Sequence, residues 1–242
     1  MVEIKDRVIV ALDVEDMKSA DSLMGKLQGL VTQYKIGSQL LTAAGPEAVM
    51  QVRRRGFGVF YDAKFHDIPN TVAAAVTAAC RIGATIVNVH TSGGQEMMRA
   101  AAKAAEEVAK KLRQPKTIVL GVTILTSLNQ TVLEEELGIR RKITSQVVRL
   151  AKLAQQSGLD GVVASAHEIE DIRKACGPDF IILSPGIRPS GTEKGDQKRI
   201  MTPKAAFKAG ADYIVVGRPV YQAKEPQEVV RKIFAEIAEV KK

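Results

Sequence analysis

The sequence predicts an α/β protein, a single (β/α)8 TIM barrel that takes up residues 1–242. Short apolar, β-branched runs alternate with longer helical patterns about eight times along the chain, and no Pro- or Ser-rich linker divides the units. Polar residues gather at the C-terminal ends of the apolar runs. A parallel strand covered on both faces carries a polar group near its middle only at a cost, so polar ends imply a shared solvent-accessible mouth. Strict strand–helix alternation places the helices outside a parallel sheet. A doubly wound open sheet is the competing arrangement.

The units follow in order. VIVALDV (8–14) precedes a helical stretch from about Asp16, and VTQYKIG (31–37) precedes one that includes PEAVMQVRRR. GVFYDAK (58–64) leads into an Ala-rich helix after Pro69, and TIVNVH (85–90) into QEMMRAAAKAAEEVAKKL, whose alternation of Ala with charge reads as an exposed-face helix. TIVLGVTIL (117–125) precedes a short helix and then ITSQVVRLAKLAQQ; GVVAS (161–165) precedes HEIEDIRKAC. FIILSPGI (180–187) is followed by a polar loop and TPKAAFKAG, and YIVVGR (213–218) by EPQEVVRKIFAEIAEV. The polar residues at the strand ends are Asp13, Lys35, Asp62, Lys64, His90, Thr126 with Ser127, Ser165, Arg188 and Arg218. In a barrel these ends carry the chemistry.

Composition narrows the function classes. With 45% apolar and 26% charged residues the chain reads as an ordinary soluble domain. No apolar run reaches the roughly 18 residues of a membrane span, and MVEIKDRVIV runs straight into a strand, so no membrane association and a cytoplasmic location are expected. Cys80 and Cys176 lack metal-ligand spacing and read as buried thiols. The net charge of +8 resides largely in clusters such as Arg53-Arg54-Arg55 and Arg140-Arg141-Lys142. With Trp absent and few aromatics to stack bases, nucleic acid is not the expected partner; an anionic small substrate fits better.

DAKFHDIPNT (62–71) concentrates the charge. On local rules alone Asp67 caps a helix that has Pro69 in its first turn, while Asp62 and Lys64 pair at a strand end, two apart and on one side. The longer pattern says more. Asp62-Ala63-Lys64-Phe65-His66-Asp67-Ile68-Pro69-Asn70-Thr71 closely resembles the D-x-K-F-x-D-I-P-N-T motif of the orotidine 5'-phosphate decarboxylase family. The resemblance spans essentially the whole chain through Ala11–Asp13, Tyr34–Gly37, Leu125–Ser127, Pro185–Pro189, Asp196–Arg199 and Val216–Pro219. Ala63 departs from it, because the family often has a larger aliphatic residue there.

The resemblance implies removal of CO2 from C6 of orotidine 5'-monophosphate to give UMP, with no cofactor and no metal. Lys64 would stabilise the carbanion-like centre and protonate C6, within an alternating Lys35, Asp62, Lys64, Asp67 charge network. Asp13 and Lys35 would lie near the ribose hydroxyls, and Thr126 and Ser127 would face the pyrimidine or ribose. Gly217 and Arg218 would hold the phosphate. Arg188 and Gln197 would also reach the substrate, with PSGTEKGDQKR (189–199) as a lid. The resemblance further implies a homodimer with shared sites, in which Asp67, Ile68 and Thr71 enter the neighbouring subunit's mouth. Two other readings stand beside it. A Mg2+-dependent sugar-phosphate lyase or decarboxylase shares D-x-K-x-x-D but carries an acidic residue where Lys35 stands; a nucleotide-binding protein without catalysis would share the scaffold alone.

Overall fold

In the computed structural model, which describes residues 3–190 and 201–240, the apolar runs become the strands of one closed parallel barrel. They are β1 (Val8–Ala11), β2 (Gln33–Gly37), β3 (Gly58–Phe65), β4 (Ile86–His90), β5 (Ile118–Val122), β6 (Gly161–Val163), β7 (Ile181–Ser184) and β8 (Tyr213–Val216), paired in chain order. Pairing of Ile9 with Val215 closes the ring. The open-sheet alternative is thereby excluded.

The helices are α1 (Ile4–Arg7), α2 (Met17–Lys26), α3 (Ser38–Ala44), α4 (Glu47–Arg54), α5 (Pro69–Arg81), α6 (Gly94–Leu112), α7 (Ile143–Gln156), α8 (Ile169–Cys176), α9 (Pro203–Ala209), α10 (Arg218–Tyr221) and α11 (Pro226–Ala238). None is long and apolar enough to cross a membrane among the described residues. Asp16 starts α2 by accepting from the Ser19 N–H at 2.8 Å, and Thr202 starts α9 by accepting from Ala205 N–H at 3.2 Å.

Local chemistry modifies the expected units. One helical turn, α1, precedes β1, so the chain does not enter the first strand directly. The helix expected after β2 is two helices, because Gly45 takes a left-handed φ of 62° and Pro46 follows it. TIVLGVTIL is a strand only to Val122, and Leu125 lies in the following loop, 38% exposed. The short helix after it is a widened turn over Val132–Glu136, in which Leu137 N–H reaches the Val132 carbonyl at 3.1 Å.

Two apolar layers result from strand alternation. Ile9, Ala11, Phe60, Ile86, Leu120, Val122, Val163, Leu183 and Val215 fill the barrel interior. Their strand neighbours, such as Val10, Tyr34, Val87, Val119 and Ile214, pack outward against the helices. The interior side chains form an apolar floor, and what stands above it is the mouth.

Candidate active site

A cavity of about 260 Å³ opens at the C-terminal ends of the strands. Phe60, Val122, Val163, Leu183 and Val215 line it from below, and the charged groups line its rim. Along one wall the strands deliver a row of alternating sign. Asp13 follows β1, Lys35 lies in β2, and Asp62 and Lys64 lie in β3. Lys35 Nζ donates to Asp13 Oδ1 at 2.8 Å and lies 3.3 Å from Asp62 Oδ2; Lys64 Nζ donates to Asp62 Oδ1 at 2.8 Å.

The two lysines are not equivalent. The Lys35 side chain is 12% exposed and sits between two carboxylates, whereas Lys64 is 35% exposed and meets one. Burial alone lowers the affinity of the Lys35 amine for its proton. The charges of Asp62 and Asp13 and their hydrogen bonds outweigh burial, so its pKa lies above the ordinary lysine value. Gly37 makes room for this amine: a Cβ at that position would stand 2.6 Å from Lys35 Nζ.

Regular strand alternation does not deliver Lys64. Tyr61 pairs with Val87 and Phe65 with Val89, so four residues of β3 span two of β4, and Lys64 adopts a left-handed φ of 52°. Asn88 of β4, which sequence reasoning missed, bridges the irregularity. It is fully buried, accepts from Lys64 N–H at 2.7 Å and donates to Asp62 Oδ1 at 2.7 Å. The signal was present in TIVNVH: an amide in the middle of an otherwise apolar core strand needs partners there.

The rest of the rim comes from the other half of the barrel. Thr126, Pro185, Gly186, Arg188, Gly217, Arg218 and Tyr221 line the same cavity. Arg188 is 7% exposed, and its backbone N–H donates to the Met201 carbonyl at 3.0 Å. Gly217 and Arg218 do not end β8, which stops at Val216; they open α10. Gln197 and most of the expected lid lie outside the described residues.

Several expected residues stand elsewhere. Ser127 is exposed and does not line the cavity. Ser165 is 1% exposed and caps a helical turn by accepting from His167 N–H. His90 lines a neighbouring cavity with Thr91 and Ser92, its ring 5.4 Å from that of His66. Burial, then the charges of His66 and Lys64, pushes the His90 pKa down. Asp67, Ile68 and Thr71 are exposed and do not line this chain's cavity. Nor does Asp67 cap α5: the cap position belongs to Ile68, whose N–H donates to Asp67 Oδ1 at 2.6 Å.

A closed (β/α)8 barrel with a row of paired charges on one wall of its mouth and two arginines at the end of the other belongs to a class of barrel enzymes that act on anionic small molecules. The chain belongs to the Orotidine 5'-phosphate decarboxylase / HUMPS family, whose model matches residues 6–233. It is 50% identical over 237 residues to orotidine 5'-phosphate decarboxylase of Moorella thermoacetica, covering 98% of this chain and 94% of that protein. Similarity to the protein of the same name from Trichlorobacter lovleyi is also 50%, over 235 residues, covering 97% and 96%. Among solved structures, orotidine 5'-phosphate decarboxylase from Lactobacillus acidophilus superposes with a TM-score of 0.84 at 34% identity, covering 96% of this chain and 99% of that one.

Proposed function

We propose that the chain decarboxylates orotidine 5'-monophosphate to UMP and CO2, the last step of de novo UMP synthesis, without metal or cofactor. The observation that carries this reading is the Asp13–Lys35–Asp62–Lys64 row above an apolar floor. In the reaction the bond from C6 to the carboxyl carbon breaks, CO2 leaves, and the electron pair stays on C6. Lys64 Nζ supplies the cation beside that pair and then gives it a proton, regaining one from water. Its exposure suits that role. Lys35, enclosed by two carboxylates, instead holds Asp62 in place.

Each pair has a Coulomb attraction of roughly 5 kcal/mol at 3 Å and an effective dielectric near 20. Desolvation of the partners is of similar size, so the row's contribution is placement fixed before the substrate arrives. Arg218 and Gly217 receive the phosphate, Arg188 reaches the substrate, and Thr126 approaches the pyrimidine or ribose. Asp13 and Lys35 hold the ribose hydroxyls.

We also propose a cytoplasmic homodimer in which Asp67, Ile68 and Thr71 complete the partner's site. Their exposure on the single chain supports this, Ile68 being 67% exposed beside the mouth. A Mg2+-dependent sugar-phosphate reaction is disfavoured by Lys35, whose ammonium occupies the space between Asp13 and Asp62 that a dication would need. Loss of orotidylate absorbance, followed with and without chelator, tests the reading. Chelator-resistant turnover is expected. No turnover, or turnover restored only by Mg2+, would overturn it.

A further inference from the structure

We propose that Asn88 is a positioning residue for the decarboxylation, holding both Asp62 and the Lys64 backbone through one buried amide. The inference rests on the decarboxylase reading and adds a residue to it. Asn88 lies in β4 between Val87 and Val89, which pack outward, so its side chain enters the barrel between the apolar floor and the charged rim. It is 0% exposed. An amide buried so deeply needs partners for both its ends.

Both partners belong to the charged row. Lys64 N–H can only donate and the ionised Asp62 carboxylate can only accept, so one orientation of the amide satisfies both, with Oδ1 toward Lys64 N at 2.7 Å and Nδ2 toward Asp62 Oδ1 at 2.7 Å. The same Asp62 oxygen accepts from Lys64 Nζ at 2.8 Å. Asn88, the Lys64 backbone, the Lys64 amine and Asp62 are therefore joined at one carboxylate.

The backbone explains why the amide is needed. A left-handed φ in a residue other than Gly carries a local cost that its surroundings offset. Lys64 takes one at 52°, inside the stretch where β3 runs out of register with β4. Its N–H is held by the Asn88 side chain, and this fixes where the lysine leaves the chain. Leu or Ala at 88 would remove the acceptor from this N–H and a donor from Asp62. An ionised carboxylate at 88 would keep the acceptor and repel Asp62.

Asn88 touches no substrate in this account, so its removal should lower kcat and leave binding alone. Displacement of a reacting group by about 1 Å costs on the order of 100-fold in rate. The experiment compares wild type, Asn88→Ala and Asn88→Asp by kcat, KM for orotidine 5'-monophosphate, affinity for UMP and melting temperature, each across pH. Asn88→Ala is expected to lose about 100-fold in kcat, with KM and UMP affinity within threefold of wild type. Folded Asn88→Ala with near-wild-type kcat would overturn the inference. So would a kcat loss matched by an equal loss of UMP affinity, which denotes a collapsed cavity.

Asn88→Asp, nearly isosteric, decides the matter if the alanine variant fails to fold. Two adjacent buried carboxylates share a proton at low pH, and the protonated acid restores the donor to Asp62. Its kcat should therefore fall as pH rises, along a limb absent from wild type. A pH profile superimposable on wild type, at the same rate, would sink the proposal. Turnover of the wild type alone tests the decarboxylase reading separately.

Discussion

Two lysines 29 positions apart in the sequence meet opposite oxygens of one carboxylate, and their surroundings give them different work. Lys35 is paired with both Asp13 and Asp62 and is the more buried of the two; Lys64 pairs with Asp62 alone and keeps a face open to the cavity. Lys64→Ala should therefore lower kcat to below a tenth of wild type while the fold and much of the UMP affinity remain, because the role proposed for this amine lies mainly in the transition state. Measurement of kcat and UMP binding on one preparation checks it. Arg218 lines the same cavity from the first turn of α10, after β8. Arg218→Ala should lower kcat/KM severely for the nucleotide and hardly at all for the phosphate-free nucleoside, since the proposed phosphate contact is absent there. Parallel assays with the two substrates separate this from a structural role, which would reduce both alike.

At the scale of elements, the two ends of the barrel are built for different purposes. The C-terminal ends spend their charges on the cavity, while at the opposite end Arg173 of α8 ties several segments together. Its guanidinium donates to the carbonyls of Gly177, Pro178, Phe180 and Gly210 and to Asp212 Oδ2, all within 3.0 Å. Asp212 in turn accepts from Ile182 N–H at 2.8 Å, which joins the start of β7 to the start of β8. Arg173→Ala should cost about 2–3 kcal/mol, because several partly buried acceptors lose their donor together. For a chain of this size that is a fall of roughly 5–10 °C in Tm. Turnover well below the transition should stay near wild type, as calorimetry and assay together would show. The strands and most helices were legible because apolar period and turn residues are local signals. The break between α3 and α4 was written in Gly45-Pro46, yet the helical pattern on both sides hid it. Lys64 was placed correctly in the mouth for an incomplete reason: alternation suggests a same-side pair, but the strand is irregular there, and its irregularity is held by Asn88 from the next strand. Ser127, Ser165 and His90 looked like rim residues because strand ends are polar, and nothing local distinguishes a cap or a neighbouring cavity from the mouth itself.

The molecule as a whole raises the question of where Asp67 acts. It follows β3, close in sequence to Lys64, yet it is exposed and does not line its own chain's cavity; Ile68 and Thr71 beside it are exposed too. A two-fold dimer that joins two mouths would set these residues of each chain into the other's site, with identical contacts made twice. The symmetry makes the arrangement countable. Lys64→Ala and Asp67→Ala proteins should each be inactive alone, because every site in either homodimer carries a lesion. In a mixed dimer the barrel of the Asp67→Ala chain keeps its own Lys64 and receives an intact Asp67 from its partner, so that site is whole. The other site carries both lesions. Random exchange of equal amounts makes about half the dimers mixed, each with one good site in two, so activity should return to roughly a quarter of wild type. Mass measurement of the exchanged sample establishes that mixed dimers formed. If they did and the sample stays inactive, Asp67 acts within its own chain and the shared-site dimer is refuted.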